Sequence, residues 1–221
     1  MEKNLVRGFT LIELMVVLAI IIVITAVAFA SQSNFNKTLI LANAAYDVAL
    51  TLRNAETYGL GSRVAGTATT NTGYGVDFSK GTPSSFTLFA DSYPAPSTNS
   101  VCHPIADPTA PNAQPGDCAY EASQGERVTG YMLGNGITVS DFCAYAASAW
   151  SCARANGGSL SSLDIVFSRP NAEPFMSVNG SYSSRFPVTA ACIALISPQG
   201  GARFVSVASS GEITANAASC P

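Results

Sequence analysis

Apolar residues run almost unbroken from Phe9 to Ala30, with Glu13 the one charged position among them. The pattern then turns helical: Phe35, Leu39, Ala42, Ala45, Ala49 and Leu52 recur at spacings of three and four, widened by Leu41, Val48 and Ala55. No glycine or proline interrupts the chain from Phe9 to Tyr58, and Gly59 and Gly61 follow as stop signals. The pattern predicts one helix of about 50 residues, roughly 75 Å long, whose second half packs on a sheet. Its first half is long enough to cross a bilayer, since Phe9 to Ala30 reaches roughly 33 Å at the α-helical rise.

From Tyr74 onward the period changes to that of short strands set between Gly, Pro, Ser and Asn clusters: Tyr74–Phe78, Phe86–Ala90, Arg127–Leu133, Ile137–Val139, Leu163–Phe167, Cys192–Ile196 and Arg203–Ala208. Residues 93–125 hold half of the prolines and read as a long irregular excursion, and residues 143–158 as a second, Ala/Ser-rich insertion. The fold class is therefore α+β, a long N-terminal helix packed on an antiparallel β-sheet head. The domain plan divides the chain into a leader at 1–8, a transmembrane helix at 9–30, an amphipathic continuation at 31–59 and a β-rich globular domain at 60–221.

Composition adds topology and redox state. At 221 residues the chain fits one membrane segment and one domain. With 11% charged residues and a net charge of −3 it offers no overall basic field for nucleic acid. Lys3 and Arg7 precede the apolar run and the next cation, Lys37, lies beyond it, so the positive-inside rule places the bulk of the chain outside. All six cysteines, at 102, 118, 143, 152, 192 and 220, lie past the apolar run and none forms a CxxC pair. A disulfide framework outranks a zinc site. Six cysteines allow 15 pairings. The local one joins Cys102 with Cys118, Cys143 with Cys152, and Cys192 with Cys220; the alternative leaves some thiols free in an apolar core.

Three readings compete for the apolar run. A plain anchor needs only length, and Ala28-Phe29-Ala30 has the form of a signal-peptidase site. A secretory signal, however, has an apolar centre of about 7–15 residues, which Leu14 to Ala30 already exceeds. Neither reading uses Glu13, and an ionisable residue in such a span calls for a functional explanation.

Arg7-Gly8-Phe9-Thr10-Leu11-Ile12-Glu13-Leu14 resembles the class III signal of type IV prepilins and type II secretion pseudopilins. That resemblance implies cleavage between Gly8 and Phe9 by the prepilin peptidase, N-methylation of the Phe9 amine, and retention of the helix. It also implies assembly with other pilin or pseudopilin subunits on an inner-membrane platform, the chain being held there by a single pass. The Glu13 carboxylate would neutralise the Phe9 ammonium of a neighbouring subunit, because an unpaired charge in an apolar setting is expensive. Major pilins often carry a proline within this helix; its absence here tilts toward a pseudopilin or minor pilin. The runs Leu163–Phe167, Ala194–Ile196, Arg203–Val207 and Gly211–Ile213, with Arg53-Asn54-Ala55-Glu56, resemble the H-type pseudopilin and T-type minor pilin group.

No set of groups suggests a reaction or a cofactor. His103 is the only histidine, beside Cys102 in a Pro-rich loop, so a histidine triad or a histidine-rich metal site has no partners. P-loop, GxSxG and HExxH patterns are absent. Asn179-Gly180-Ser181 has sequon form. The expected function is structural, a filament subunit of a pilus or secretion pseudopilus. The alternative is a tip-located minor pilin that grips DNA or a surface, and it needs Arg154, Arg169, Arg185 and Arg203 to be gathered by folding.

Overall fold

The computed structural model describes residues 8–61, 71–100, 102, 106–110, 113–217 and 219–220, with backbone alone at 30–36 and 216. Most of the leader and His103 therefore lie outside the described residues. The chain divides into two compact units, the first ending at Leu39 and the second beginning at Ile40.

The first unit is helical. Helix α1 spans Leu11–Leu60 and enters the second unit at Ile40. Thr10 caps its start: the Thr10 hydroxyl accepts the Glu13 N–H at 3.3 Å, and the Thr10 carbonyl accepts the Leu14 N–H at 3.2 Å. No described residue from Gly8 to Phe29 is buried.

The second unit is built around two antiparallel five-stranded sheets, where the sequence suggested one. The first, in the order β3-β2-β1-β6-β7, comprises β1 (Gly73–Ser79), β2 (Ser85–Asp91), β3 (Arg127–Met132), β6 (Ser162–Ser168) and β7 (Asn171–Val178). The second, β10-β9-β8-β4-β5, comprises β4 (Thr138–Ala146), β5 (Ala149–Cys152), β8 (Ala190–Ile196), β9 (Ala202–Ala208) and β10 (Ile213–Ala217). Alternation assigns their faces. Tyr74, Val76 and Phe78 of β1, Leu163, Ile165 and Phe167 of β6, and Ile193, Val205 and Val207 of the second sheet join Leu41, Ala45, Val48, Leu52 and Ala55 of α1 in one core. The α+β class and the antiparallel pairing follow the sequence pattern.

Four details depart from it. The buried stripe of α1 departs at its start, because Leu39 is 43% exposed while Ala44, outside the predicted stripe, is buried. Gly59 does not stop the helix; it is buried within it, and a Cβ there would lie 2.0 Å from the Phe167 carbonyl oxygen. Only glycine lets α1 approach β6 so closely. Residues 143–158 are not a surface insertion: β4 and β5 form a hairpin in the second sheet, turning at Ala147 and Ser148, both at positive φ. β7 and β10 also add strands that the pattern assigned no run of their own.

The excursion at 93–125 crosses the outer face of the first sheet, away from α1. Its Cys102, Cys118 and Tyr120 pack there with Phe89, Val166 and Phe175.

Candidate functional site

The N-terminal candidates fall on the last residues before α1 and on its first turn. Gly8 is exposed, with no heavy atom within 4 Å of where a Cβ would stand, so neither bulk nor neighbours obstruct the bond that follows it. Phe9 is 82% exposed. Glu13 lies in the first turn of α1, where a carboxylate meets the positive end of the helix dipole. With Thr10 it makes half of a capping box, the Thr-x-x-Glu arrangement whose second half would return the carboxylate to the cap N–H. Thr10 is a site residue that the sequence reading passed over, although Thr10-Leu11-Ile12-Glu13 carries the signature.

Leu11–Phe29 is long and apolar enough to cross a membrane, and none of it is buried within the chain. Its one hydroxyl is satisfied inside the helix, as Thr25 Oγ1 donates back to the carbonyls of Ile21 at 2.8 Å and Ile22 at 3.0 Å. The span thus presents no unpaired side-chain polar atom from that residue to lipid.

The head brings carboxylates together in a way the linear pattern did not announce. Asp77 on β1 and Asp164 on β6 are register partners on the outer face of the first sheet. The Asp164 carboxyl donates a hydrogen bond to Asp77; burial, then the Asp77 charge, hold Asp164 well above the usual carboxylate range. Burial likewise pushes Asp77 up to about 6. Glu121 is pushed up to about 8 by burial, the Asp117 charge and its bond to Glu126.

Two further carboxylates clamp the excursion. Asp91 accepts the N–H groups of Asp117 at 3.1 Å and Cys118 at 3.0 Å, beside Gly116, which sits at a φ of +102 and where a Cβ would lie 2.2 Å from Asp91 Oδ1. Glu126 accepts those of Ser92 at 2.8 Å, Tyr93 at 2.9 Å and Glu121 at 2.9 Å. Burial and the Glu126 charge push Asp91 up.

The disulfides of the structure join Cys102 to Cys118, Cys143 to Cys152 and Cys192 to Cys220. Asp91 lies within 4.8 Å of the first pair of sulfurs and Asp141 within 4.8 Å of the second, but bonded sulfurs offer no thiolate to a metal. Three of the four arginines that a nucleic-acid patch would need have local side-chain engagements: Arg169 with Asn71, Arg185 over the Phe186 ring at 5.3 Å, and the Arg203 guanidinium with the Ala202 carbonyl at 2.9 Å; at Arg154 it is the backbone N–H that donates to Asp141, at 2.9 Å. Asn179 is engaged as well. Its Oδ1 accepts the Ser161 N–H at 2.6 Å and hydroxyl at 2.9 Å, and its Nδ2 donates to the Ser159 carbonyl at 3.3 Å.

The first half of α1, capped, apolar and unburied from Leu11 to Phe29, is consistent with a membrane anchor. Residues 3–29 match the family model described as a prokaryotic N-terminal methylation motif. The match supports a precursor of type IV pilin-like or pseudopilin type, processed by prepilin peptidase and assembled with other pilin subunits, and it points to a structural protein. Comparisons with curated proteins and with solved structures return no match.

Proposed function

We propose that this chain is a minor pilin or pseudopilin, a non-catalytic filament subunit of a type IV pilus or type II secretion pseudopilus. The observation that carries the reading is the coincidence of the methylation motif at residues 3–29 with an apolar span, Leu11–Phe29, wholly exposed. Such a surface needs lipid before assembly and neighbouring helices after it. In this reading the peptidase cuts between Gly8 and Phe9, the new Phe9 amine is methylated, and the Glu13 carboxylate of one subunit pairs with the Phe9 ammonium of the next. The unbroken helix between Phe9 and Ala30 favours a minor subunit, and Lys3 and Arg7 favour a head outside the inner membrane, in the periplasm. Finer placement in the H-type pseudopilin and T-type minor pilin group rests on the closing strands and on Arg53-Asn54-Ala55-Glu56.

A DNA-gripping tip subunit is less well supported, since the side chains of Arg169, Arg185 and Arg203 have engagements of their own. Intact mass of the protein recovered from membranes tests the main reading. The expected mature chain begins at Phe9 with a methylated amine. A chain beginning at Ser31 would mean that an ordinary signal peptide had been removed.

A further inference from the structure

Three cysteines of the head share one rung of the second sheet. Cys143 on β4 is the register partner of Cys152 on β5 and also of Cys192 on β8. Register partners in an antiparallel ladder project to the same face, with Cβ atoms about 4.5–5.5 Å apart. The flanking residues Phe142, Ala144, Ala153, Ala191 and Ile193 point into the core, so the three sulfurs stand on the opposite face. Cys143 is bonded to Cys152, and Cys192 to Cys220 of the C-terminal tail.

The ladder geometry makes both neighbours of Cys143 competent partners. The Ala153 N–H donates to the Phe142 carbonyl at 2.9 Å, so Phe142 and Ala153 are the bonded pair and Cys143 and Cys152 the close, non-bonded one, with Cα atoms 4.0 Å apart. The backbone of Cys143 then faces β8, and a hydrogen-bonded pair has Cα atoms about 5.5 Å apart, inside the disulfide range. Access is graded. Cys143, Cys152 and Cys192 are 1%, 0% and 2% exposed, whereas Cys220 is half-buried.

We propose that Cys220, Cys192, Cys143 and Cys152 form a thiol–disulfide exchange site whose partner is a dithiol oxidoreductase. A thiolate of the oxidoreductase attacks Cys220 Sγ, the Cys192–Cys220 bond breaks, and its electron pair leaves on Cys192. The Cys192 thiolate attacks Cys143 Sγ across the rung, forming Cys143–Cys192 and expelling Cys152 as thiolate. The Asn156 Nδ2, 3.7 Å from Cys152 Sγ, donates to that leaving sulfur. The second thiol of the oxidoreductase then resolves the mixed disulfide at Cys220. One dithiol is oxidised, one disulfide of the head is reduced, and Cys152 and Cys220 take up the protons.

The new bond crosses from β4 to β8 and closes a loop of roughly 50 residues in place of one of sequence separation 9, so in the chain-entropy treatment it constrains the unfolded chain more than the bond it replaces. The tail is released while the second sheet keeps a crosslink.

The test uses the full-length wild-type chain in detergent, treated with limiting dithiothreitol, quenched with an alkylating agent and mapped by mass spectrometry without reduction. The expected first product carries label on Cys220 and Cys152 and contains a Cys143–Cys192 peptide, with Cys152 labelled about tenfold more than Cys192. Label on Cys220 and Cys192 with Cys143–Cys152 intact would overturn the proposal. C152S/C220S isolates the rung. It should oxidise to Cys143–Cys192 while Trp150 fluorescence still reports a folded head. A folded double variant with both thiols alkylated would also overturn it.

Discussion

The two units handle the same residue types in opposite ways. Between Leu11 and Phe29 every isoleucine, valine and leucine is exposed, whereas Val48, Ile165 and Ile193 of the second unit have no exposed surface. Burial is worth about 25 cal/mol per Å² of apolar surface wherever it occurs, so the head draws its stability from its own core and the N-terminal span from surroundings the chain does not contain. Substitutions in the first unit should therefore change membership of an assembly and leave the head intact, and substitutions in the second should do the reverse.

The sharpest division is expected from Glu13→Ala. Losing one member of a buried ion pair costs about 3–5 kcal/mol, so the variant should be cleaved normally, fold normally and be largely missing from sheared filaments. Incorporation at wild-type levels would end the pairing mechanism.

The second unit should show the converse through its protonated carboxyls. Asp77 and Glu121 have folded pKa values raised to about 6 and about 8. The folded state therefore binds more protons than the unfolded one between pH 4 and these values. Stability is full below about pH 4 and falls as pH rises through 6 and 8. Asp77 alone is worth up to about 3 kcal/mol. Denaturant melts followed by Trp150 fluorescence should show the head weakening toward pH 9, and Asp164→Asn should flatten that slope. A head equally stable at pH 5 and pH 9 would contradict the arrangement.

Gly59→Ala should destabilise the head by about 1–3 kcal/mol, because its Cβ meets backbone rather than a side chain that can swing aside. The same melts measure it, and cleavage after Gly8 should not change. The smallest effect expected is that of Thr10→Ala, about 1 kcal/mol or less, confined to the start of α1 and read as earlier amide exchange at residues 11–14. A change in head stability from this variant would blur the division between the units.

The helix, the α+β class and most strands were legible because each rests on local periodicity. What was missed depends on contacts distant in sequence or on backbone that residue type does not announce. The β4–β5 hairpin turns on Ala147 and Ser148, where asparagine and glycine are the usual residues for positive φ at both positions. β7 contains Pro174, which demotes a strand in sequence but is tolerated at the edge position it occupies. Gly59 reads as a stop along the chain because its spatial neighbour Phe167 lies far away in sequence. The Asp77–Asp164 pair exists only once β1 and β6 are in register. At the N-terminal site Glu13 stands out as the one charge in an apolar run, Gly8 and Phe9 enter through the resemblance to the prepilin signal, and Thr10 is legible only as the first residue of a Thr-x-x-Glu spacing.

The turn at Asn179 makes its amide part of the folded head. Both ends of its amide hold the segment at Ser159 and Ser161, so a glycan on Nδ2 would remove one of those bonds and crowd the others. Oligosaccharide transfer to this sequon would meet an exposed side chain whose amide is already engaged at both ends, so the folded head is a poorer acceptor than the unfolded chain.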